Sequence, residues 1–390
     1  MKKVLALLVV LVMVSAVTVA FTSCESSAYS ADSIKIGVIH IGDPADGSGY
    51  SFTHDQGIVA MQNELKLKDS QIMRKNNVGD EDTAVLKEAI EDCIAQGCNI
   101  IFGTSYGYMD TMAALAVEYP DVYFSHGTGY KSNDTNFNNY FGRIYQARYL
   151  AGVAAGLKTL ETKNNKLGYV AAYGTELAET CSGINAFLLG AQSVNPEAVL
   201  DVKVLNSWFD PANETAFAEA LIEGGCGIIA QHCDTPNPQK AAENKGVFGC
   251  GYNSDMTPDA PDAHLTAPIW HWGVYYTDAV KAVIDGKWAD LGNYYGGIKE
   301  GFVDISALSD NCAKDTKKYI DQVTDLFKDG SWDVFSGVKL SFDADGNLVK
   351  TNADLKKADG SVIVAAGGSS VEDSVITGTM NYYVLGVTKK

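Results

Sequence analysis

Two pentapeptides, Gly97-Cys98-Asn99-Ile100-Ile101 and Gly225-Cys226-Gly227-Ile228-Ile229, stand 128 residues apart, and each follows a helical stretch that begins Thr-Ala. That offset is the length of one domain. The surroundings of the two segments share one plan. Around the first, Ile34–Ile39 has the composition of a buried strand, residues 42–49 form a loop, and a helical pattern runs from Phe52 to Leu65. Asp82 is placed to cap a second helix whose apolar face is Leu86, Ile90, Cys93 and Ile94. Strand Asn99–Phe102, helix Met109–Glu118 and strand Val122–Ser125 follow. Around the second, strand Lys166–Val170, helix Cys181–Gln192, strand Val202–Val204, helix Thr215–Glu223 and strand Gly227–Ala230 repeat the alternation. Strands that alternate with helices need a parallel sheet covered on both faces. The expectation is an α/β chain with two doubly wound parallel-sheet lobes in tandem.

Such sheets bind ligands beyond the carboxyl ends of their strands. In the first half those ends carry Asp43, Asp46, Tyr50 and Ser51, then Ser105 and Tyr106, then His126 and Thr128. In the second half they carry Asn206 to Asp210 with Trp208, then His232-Cys233-Asp234, then Gly251 to Asp255 with Asn253. These residues are aromatics, amides and carboxylates, with hardly any Lys or Arg. Phosphate groups call for cations or a glycine-rich helix start. A flat, uncharged ligand with hydrogen-bonding edges suits the set better.

The N-terminus reads as a targeting segment. Met1-Lys2-Lys3 is basic, and Val4 to Phe21 is a run of 18 residues without charge. It ends in Phe21-Thr22-Ser23-Cys24, small residues before a single Cys, similar to a bacterial lipobox. Residues 1–23 are therefore expected to be a signal peptide, Cys24 the lipidated N-terminus, and residues 24–33 a tether. An uncleaved helix is the other reading of such a run. The net charge of −18 argues against a nucleic-acid partner. Seven cysteines remain after Cys24, so an exported form keeps at least one unpaired thiol. His232-Cys233-Asp234 has no C-x-x-C or H-x-x-x-H partner nearby, and neither a metal nor another cofactor is expected. Asp343-Ala344-Asp345-Gly346-Asn347 has its glycine at the fourth position, not the sixth, so it is read as a turn between strands and not as a calcium loop.

Several stretches together resemble the basic membrane protein family. They are Gly107-Tyr108-Met109-Asp110, Asn185-Ala186-Phe187, Ser193-Val194-Asn195-Pro196, Trp208-Phe209-Asp210-Pro211, Ala230-Gln231-His232, Gly251 to Met256, and Trp270-His271-Trp272-Gly273. The likeness runs from the tether to Asn381-Tyr382-Tyr383. It implies an extracytoplasmic lipoprotein that serves an ABC importer as its solute receptor, on the outer face of the cytoplasmic membrane or in a periplasm. It also implies a type I periplasmic-binding-protein fold, with two lobes joined by hinge strands. The expected division is 34–142 plus 254–287 for the first lobe and 143–253 plus 288–390 for the second. The best-understood branch resembles a purine nucleoside receptor, with a Ser-Phe-Asn after its first strand. Here that place reads Gly49-Tyr50-Ser51, which keeps an aromatic for stacking. The second stacking aromatic of the branch falls on Trp208. An aspartate that grips ribose hydroxyls falls on Asn253, and a lysine falls near Trp270-His271-Trp272, so a free nucleobase competes with a nucleoside as ligand.

The candidate ligand-binding residues are thus Tyr50, Ser51, Tyr106, Trp208, Asp234, Asn253 and Trp270. The expected partners are a purine, an importer permease and, through the lipid alone, a membrane, with the receptor acting as a monomer. No Ser/His/Asp set, G-x-S-x-G elbow or Walker loop is evident, so no enzymatic activity is expected. Two rival readings are an exported nucleoside-processing hydrolase and a sensor lipoprotein without a transport role.

Overall fold

The structure is a computed structural model and describes residues 29–390; the signal peptide and Cys24 lie outside the described residues. Ten of the strands fall into two sets of five. The first set is β1 (Ile36–Ile39), β2 (Ile72–Lys75), β3 (Ile100–Gly103), β4 (Tyr123–Gly127) and β5 (Phe137–Gly142). The second is β6 (Lys166–Ala171), β7 (Val199–Val204), β8 (Ile228–His232), β9 (Phe248–Cys250) and β10 (His264–Thr266). In space the sets run β2-β1-β3-β4-β5 and β7-β6-β8-β9-β10, so the second sheet repeats the order of the first. Every pairing within these two sheets is parallel. A sixth parallel strand completes each sheet, Tyr294–Gly296 beside β5 and Val387–Lys389 beside β7. The repeated pentapeptides lead into the equivalent central strands β3 and β8.

The helices lie where the alternation puts them, with earlier starts than the apolar periodicity alone suggests. They are α1 (Gly49–Leu65), α2 (Thr83–Ala95), α3 (Met109–Glu118), α4 (Ile144–Thr162), α5 (Ala178–Val194), α6 (Pro211–Glu223), α7 (Asn237–Asn244) and α8 (Trp272–Ile284). Asp82 caps α2 through the N–H groups of Ala84 and Val85. Helix α6 begins at Pro211 and not at Thr215, because Asp210 accepts from the Asn213 N–H and Pro211 occupies the first helical position. Helix α4 is buried from Ile144 through Thr159 and meets α5 where Gly152, Gly156 and Gly190 leave room for backbone contact.

The chain crosses between the sheets three times. The first crossing is from β5 into α4. The second uses β11 (Pro268–Trp270), which leads back to α8 and to β12 (Tyr294–Gly296) in the first sheet. The third uses β13 (Val303–Ile305), which returns the chain to the second lobe and pairs antiparallel with β11 as a two-stranded hinge ribbon. This corrects the expected division at two places. Residues 254–266 lie with the second lobe, because β10 pairs with β9, and residues 288–296 lie with the first, because β12 pairs with β5. Such short edge strands carry too little periodicity to be assigned to a sheet from sequence. The segment Asp343–Asn347 is a turn between the paired strands Val338–Phe342 and Leu348–Asn352, closed by N–H groups of Asp345 and Asn347 donating to Asp343.

Candidate functional site

The carboxyl ends of the two sheets meet at the start of α1. Gly49 donates its N–H to the Ser254 hydroxyl at 3.3 Å, and its Cα faces the Asp234 carbonyl closely enough that an added Cβ would lie 2.5 Å from that oxygen. Only glycine fits at this contact, and its φ of 83° is in the left-handed region. Gly49 belongs to the first lobe, while Ser254 and Asp234 follow β9 and β8 of the second. The two lobes are thus closed on one another here.

On the first-lobe side, Tyr50 sits in the opening turn of α1, and its hydroxyl donates to the Thr104 carbonyl at the end of β3. Its ring meets His54 and Trp272 edge to face, at 4.4 and 6.2 Å between centroids. Beneath it a column of rings runs toward the hinge. His54 stacks on Trp272 at 4.0 Å and Trp272 stacks on Trp270 at 4.4 Å, with Phe141 packed against Trp270 at 5.0 Å. Gly57 and Gly273 let α1 and α8 approach closely enough to form this column.

On the second-lobe side, Trp208 is half-buried in the loop after β7. It meets Tyr173 and His232 at 5.3 and 5.8 Å, and its carbonyl accepts the Asp234 N–H at 3.0 Å. Asp234 also accepts from the Asn253 amide at 3.0 Å. Asn253 is fully buried with a φ of 66°, and its Oδ1 has no partner. Burial pushes the Asp234 carboxyl up to about 7, against the pull of the Asn253 bond.

The structure therefore brings Tyr50, Trp208, Asp234 and Asn253 together, and separates the other three candidates from them in different ways. Tyr106 is half exposed on a short turn after β3, where its charged neighbours are Asp110 and Lys131, outside this cluster. A strand end alone does not decide which way the next turn faces. Ser51 uses its hydroxyl oxygen to accept the Gly42 N–H at 2.9 Å and so ties the first loop to α1. Trp270 is 5 % exposed within the hinge column, so its ring packs the crossing strands. Only its indole N–H remains without a partner.

Two residues absent from the sequence-derived set lie in the same cluster. Glu179 lies in the first turn of α5, and burial together with its charge raises the hydroxyls of Tyr50 and Tyr295 in the first lobe and of Tyr252 in the second. Its only side-chain hydrogen bond among the described residues is a 3.4 Å contact with His232 Nε2. Burial raises its carboxyl to about 7, with Asp234 adding to the rise and Arg148 opposing it. Arg148, in the second turn of α4, is 2 % exposed. Its guanidinium lies 4.1 Å over the Tyr252 ring and donates to the Tyr169 hydroxyl and the Gln231 carbonyl. Its Nε and Nη2 are unpartnered. Burial and Arg148 together hold His232 well below the usual imidazole range, so it is neutral. The arrangement offers flat apolar walls, two carboxyl groups, an amide oxygen and a buried cation, without a nucleophile aligned to a base. It is built to bind.

A family model described as "ABC transporter substrate-binding protein PnrA-like" matches residues 34–328. A purine-binding protein of Brucella abortus is 36% identical over 373 residues, covering 96% of this chain and 98% of that one. A protein of Haloferax volcanii that carries the provisional name of ABC transporter glucose-binding protein is 35% identical, covering 76% and 73%. Among solved structures, a solute-binding protein of an Aeropyrum pernix ABC transporter superposes with a TM-score of 0.64 at 15% identity, covering 80% of this chain and 95% of that one. A transcriptional activator of the comK gene from Bacillus halodurans superposes with a TM-score of 0.65 at 19% identity, covering 76% and 98%. At these identities the two superpositions speak for the fold alone.

Proposed function

Because the chain belongs to the PnrA-like family of ABC transporter substrate-binding proteins, we propose that its solute is a purine, taken as nucleobase or nucleoside and held between Tyr50 and Trp208. Proteins of this family bind solutes and are not enzymes, and they work outside the cytoplasm. No helix among the described residues is long and apolar enough to cross a membrane. The observation that carries the purine reading is that an aromatic from each lobe, Tyr50 beside Gly49 and Trp208 through its carbonyl, adjoins the hydrogen-bonded pair of Asp234 and Asn253. The near full-length likeness to a purine-binding protein supports it.

Each ring stacked on a base contributes about 1–3 kcal/mol. Asp234 and Asn253 supply acceptors for the base's N–H groups, and charged acceptors make the stronger bonds. The hinge ribbon β11–β13 lets the lobes part to admit the ligand and close to expel water. A micromolar dissociation constant requires about 8 kcal/mol net, which two stacks and a few buried hydrogen bonds supply once the lobes have closed. The closed form is what the receptor offers to an importer permease, with Cys24 carrying the lipid that keeps it at the membrane.

Thermal-shift measurements with adenine, guanine, hypoxanthine, adenosine, inosine, ribose and glucose test this reading. Stabilisation by purines and not by the sugars is expected, and comparing each base with its nucleoside shows whether ribose is recognised. Stabilisation by glucose or ribose alone would overturn it in favour of a sugar receptor.

A further inference from the structure

Resting on the purine reading, we propose that Glu179 is a ligand-contacting carboxyl of the cleft, and that together with Asp234 it selects purines bearing an exocyclic amino group. Asp234 and Glu179 come from different elements of the second lobe, the loop after β8 and the first turn of α5. The Asp234 carbonyl lies against Gly49, next to Tyr50 in the chain, and Glu179 meets His232, whose ring is 5.8 Å from that of Trp208. Neither carboxyl is hydrogen-bonded to capacity. An ionised carboxyl accepts at about four positions, whereas Asp234 receives one side-chain hydrogen bond from Asn253, and Glu179 receives only the long contact from a neutral His232.

A buried acceptor left without a donor is costly, and beside these two partly exposed carboxyls the cleft holds one. The Oδ1 of Asn253 is fully buried and unpartnered, while its Nδ2 fixes Asp234. One fully buried acceptor without a partner, beside two carboxyls with acceptor positions to spare, is complementary to a ligand rich in N–H groups. Among flat heterocycles the amino group supplies two such hydrogens on one edge, and ring N–H groups supply others. An oxo group at the same place would set oxygen against oxygen wherever the carboxyl it meets is ionised.

Arg148 makes the second carboxyl tolerable. No carboxylate oxygen lies within 4.0 Å of its guanidinium among the described residues, so it is not consumed in an ion pair. Its charge sits behind Tyr252 and His232 and favours ionised Glu179 from a distance. Arg148 is accordingly a positioning residue, acting through Glu179 and Tyr252.

Calorimetric titration with matched pairs that differ by one amino group tests the proposal: adenine against unsubstituted purine, and guanine against hypoxanthine. A hydrogen bond to a charged acceptor corresponds to at least about tenfold in affinity. The wild-type protein is expected to favour the amino member of at least one pair by that factor or more. In Glu179→Gln the preference should shrink to within about threefold, while the shortened acid of Glu179→Asp keeps part of it, so a fold-disrupting effect of one variant is separated from loss of charge. An unchanged preference in a folded Glu179→Gln, or no preference in the wild type, would overturn the inference while leaving a purine receptor. Failure of all four compounds to bind would instead strike at the purine reading itself.

Discussion

Replacing Gly49 with alanine separates closure of the lobes from stability of the fold. Gly49 and Gly47 both have positive φ, 83° and 78°. Alanine in that region costs about 1–2 kcal/mol, so each variant should lower Tm by about 1–3 °C. The two differ in what the new Cβ meets. At Gly47 nothing lies within 4 Å, whereas at Gly49 the Cβ falls 2.5 Å from the Asp234 carbonyl oxygen across the cleft. Relieving such an overlap costs about 1–3 kcal/mol, and parting the loops also loses the Gly49–Ser254 hydrogen bond, about 0.5–1.5 kcal/mol. The cost falls on the closed form alone. Kd for the best purine should therefore rise roughly 30- to 1,000-fold in Gly49→Ala, equivalent to about 2–4 kcal/mol, with Gly47→Ala near wild type. Calorimetry reads the affinity and small-angle scattering reads the closure. Equal affinity in the two variants would refute the view that the lobes meet at this contact around the ligand.

Four further outcomes are expected. Trp208→Ala should weaken purine binding by about 1–3 kcal/mol with little change in Tm, since the residue is half-buried in a loop; calorimetry and a melting curve check both. The carboxyls of Glu179 and Asp234 are raised to about 7 in the fold, so the native state keeps protons that the unfolded chain releases. Their contribution to stability is present below the ordinary carboxyl range and is lost as pH rises from about 4 to 7. Urea denaturation of unliganded protein should show Glu179→Gln less dependent on pH across that window than wild type. Arg143, at the first crossing, donates to Asp373 through Nε and Nη2 and packs over Tyr295. Arg143→Ala should therefore cost about 1–2 kcal/mol and expose the segment around Asp373 to limited proteolysis. Cys24→Ala should abolish labelling of the protein by fatty acid in a bacterial host and release it into the soluble fraction.

The two-lobed architecture was readable because α/β alternation leaves strong periodicity, and because β3 and β8 are introduced by near-identical segments. What escaped was set by tertiary contacts. The three-residue strands Tyr294–Gly296 and Val387–Lys389 carry no pattern of their own, and sheet membership followed from the neighbours they met. Tyr50, Trp208, Asp234 and Asn253 could be grouped in advance because the residues that follow the strands of a parallel sheet converge at its carboxyl end. Glu179 was missed because the apolar periodicity of α5 begins at Cys181, and no side-chain cap marks the true start at Ala178. Arg148 lies inside α4, in its second turn, and not in the loop that follows a strand. One signal for it was present: it is the only charge between Ile144 and Leu157, in a helix otherwise apolar enough to be buried. A lone cation in such a helix demands partners, and these are the Tyr169 hydroxyl, the Gln231 carbonyl and the Tyr252 ring. Tyr106 satisfies the same positional rule as the strand-end residues, yet it is half exposed and lies apart from that group.

The central claim is that a purine ring lies between Tyr50 and Trp208 with its donor edges on the acids of the second lobe. A crystal structure of the protein grown with adenine tests it most directly. The account predicts density for the base sandwiched by these two rings, with its nitrogen atoms within hydrogen-bond distance of Asp234 and Glu179. A base bound elsewhere, or a cleft filled by the protein's own side chains at saturating adenine, would contradict it.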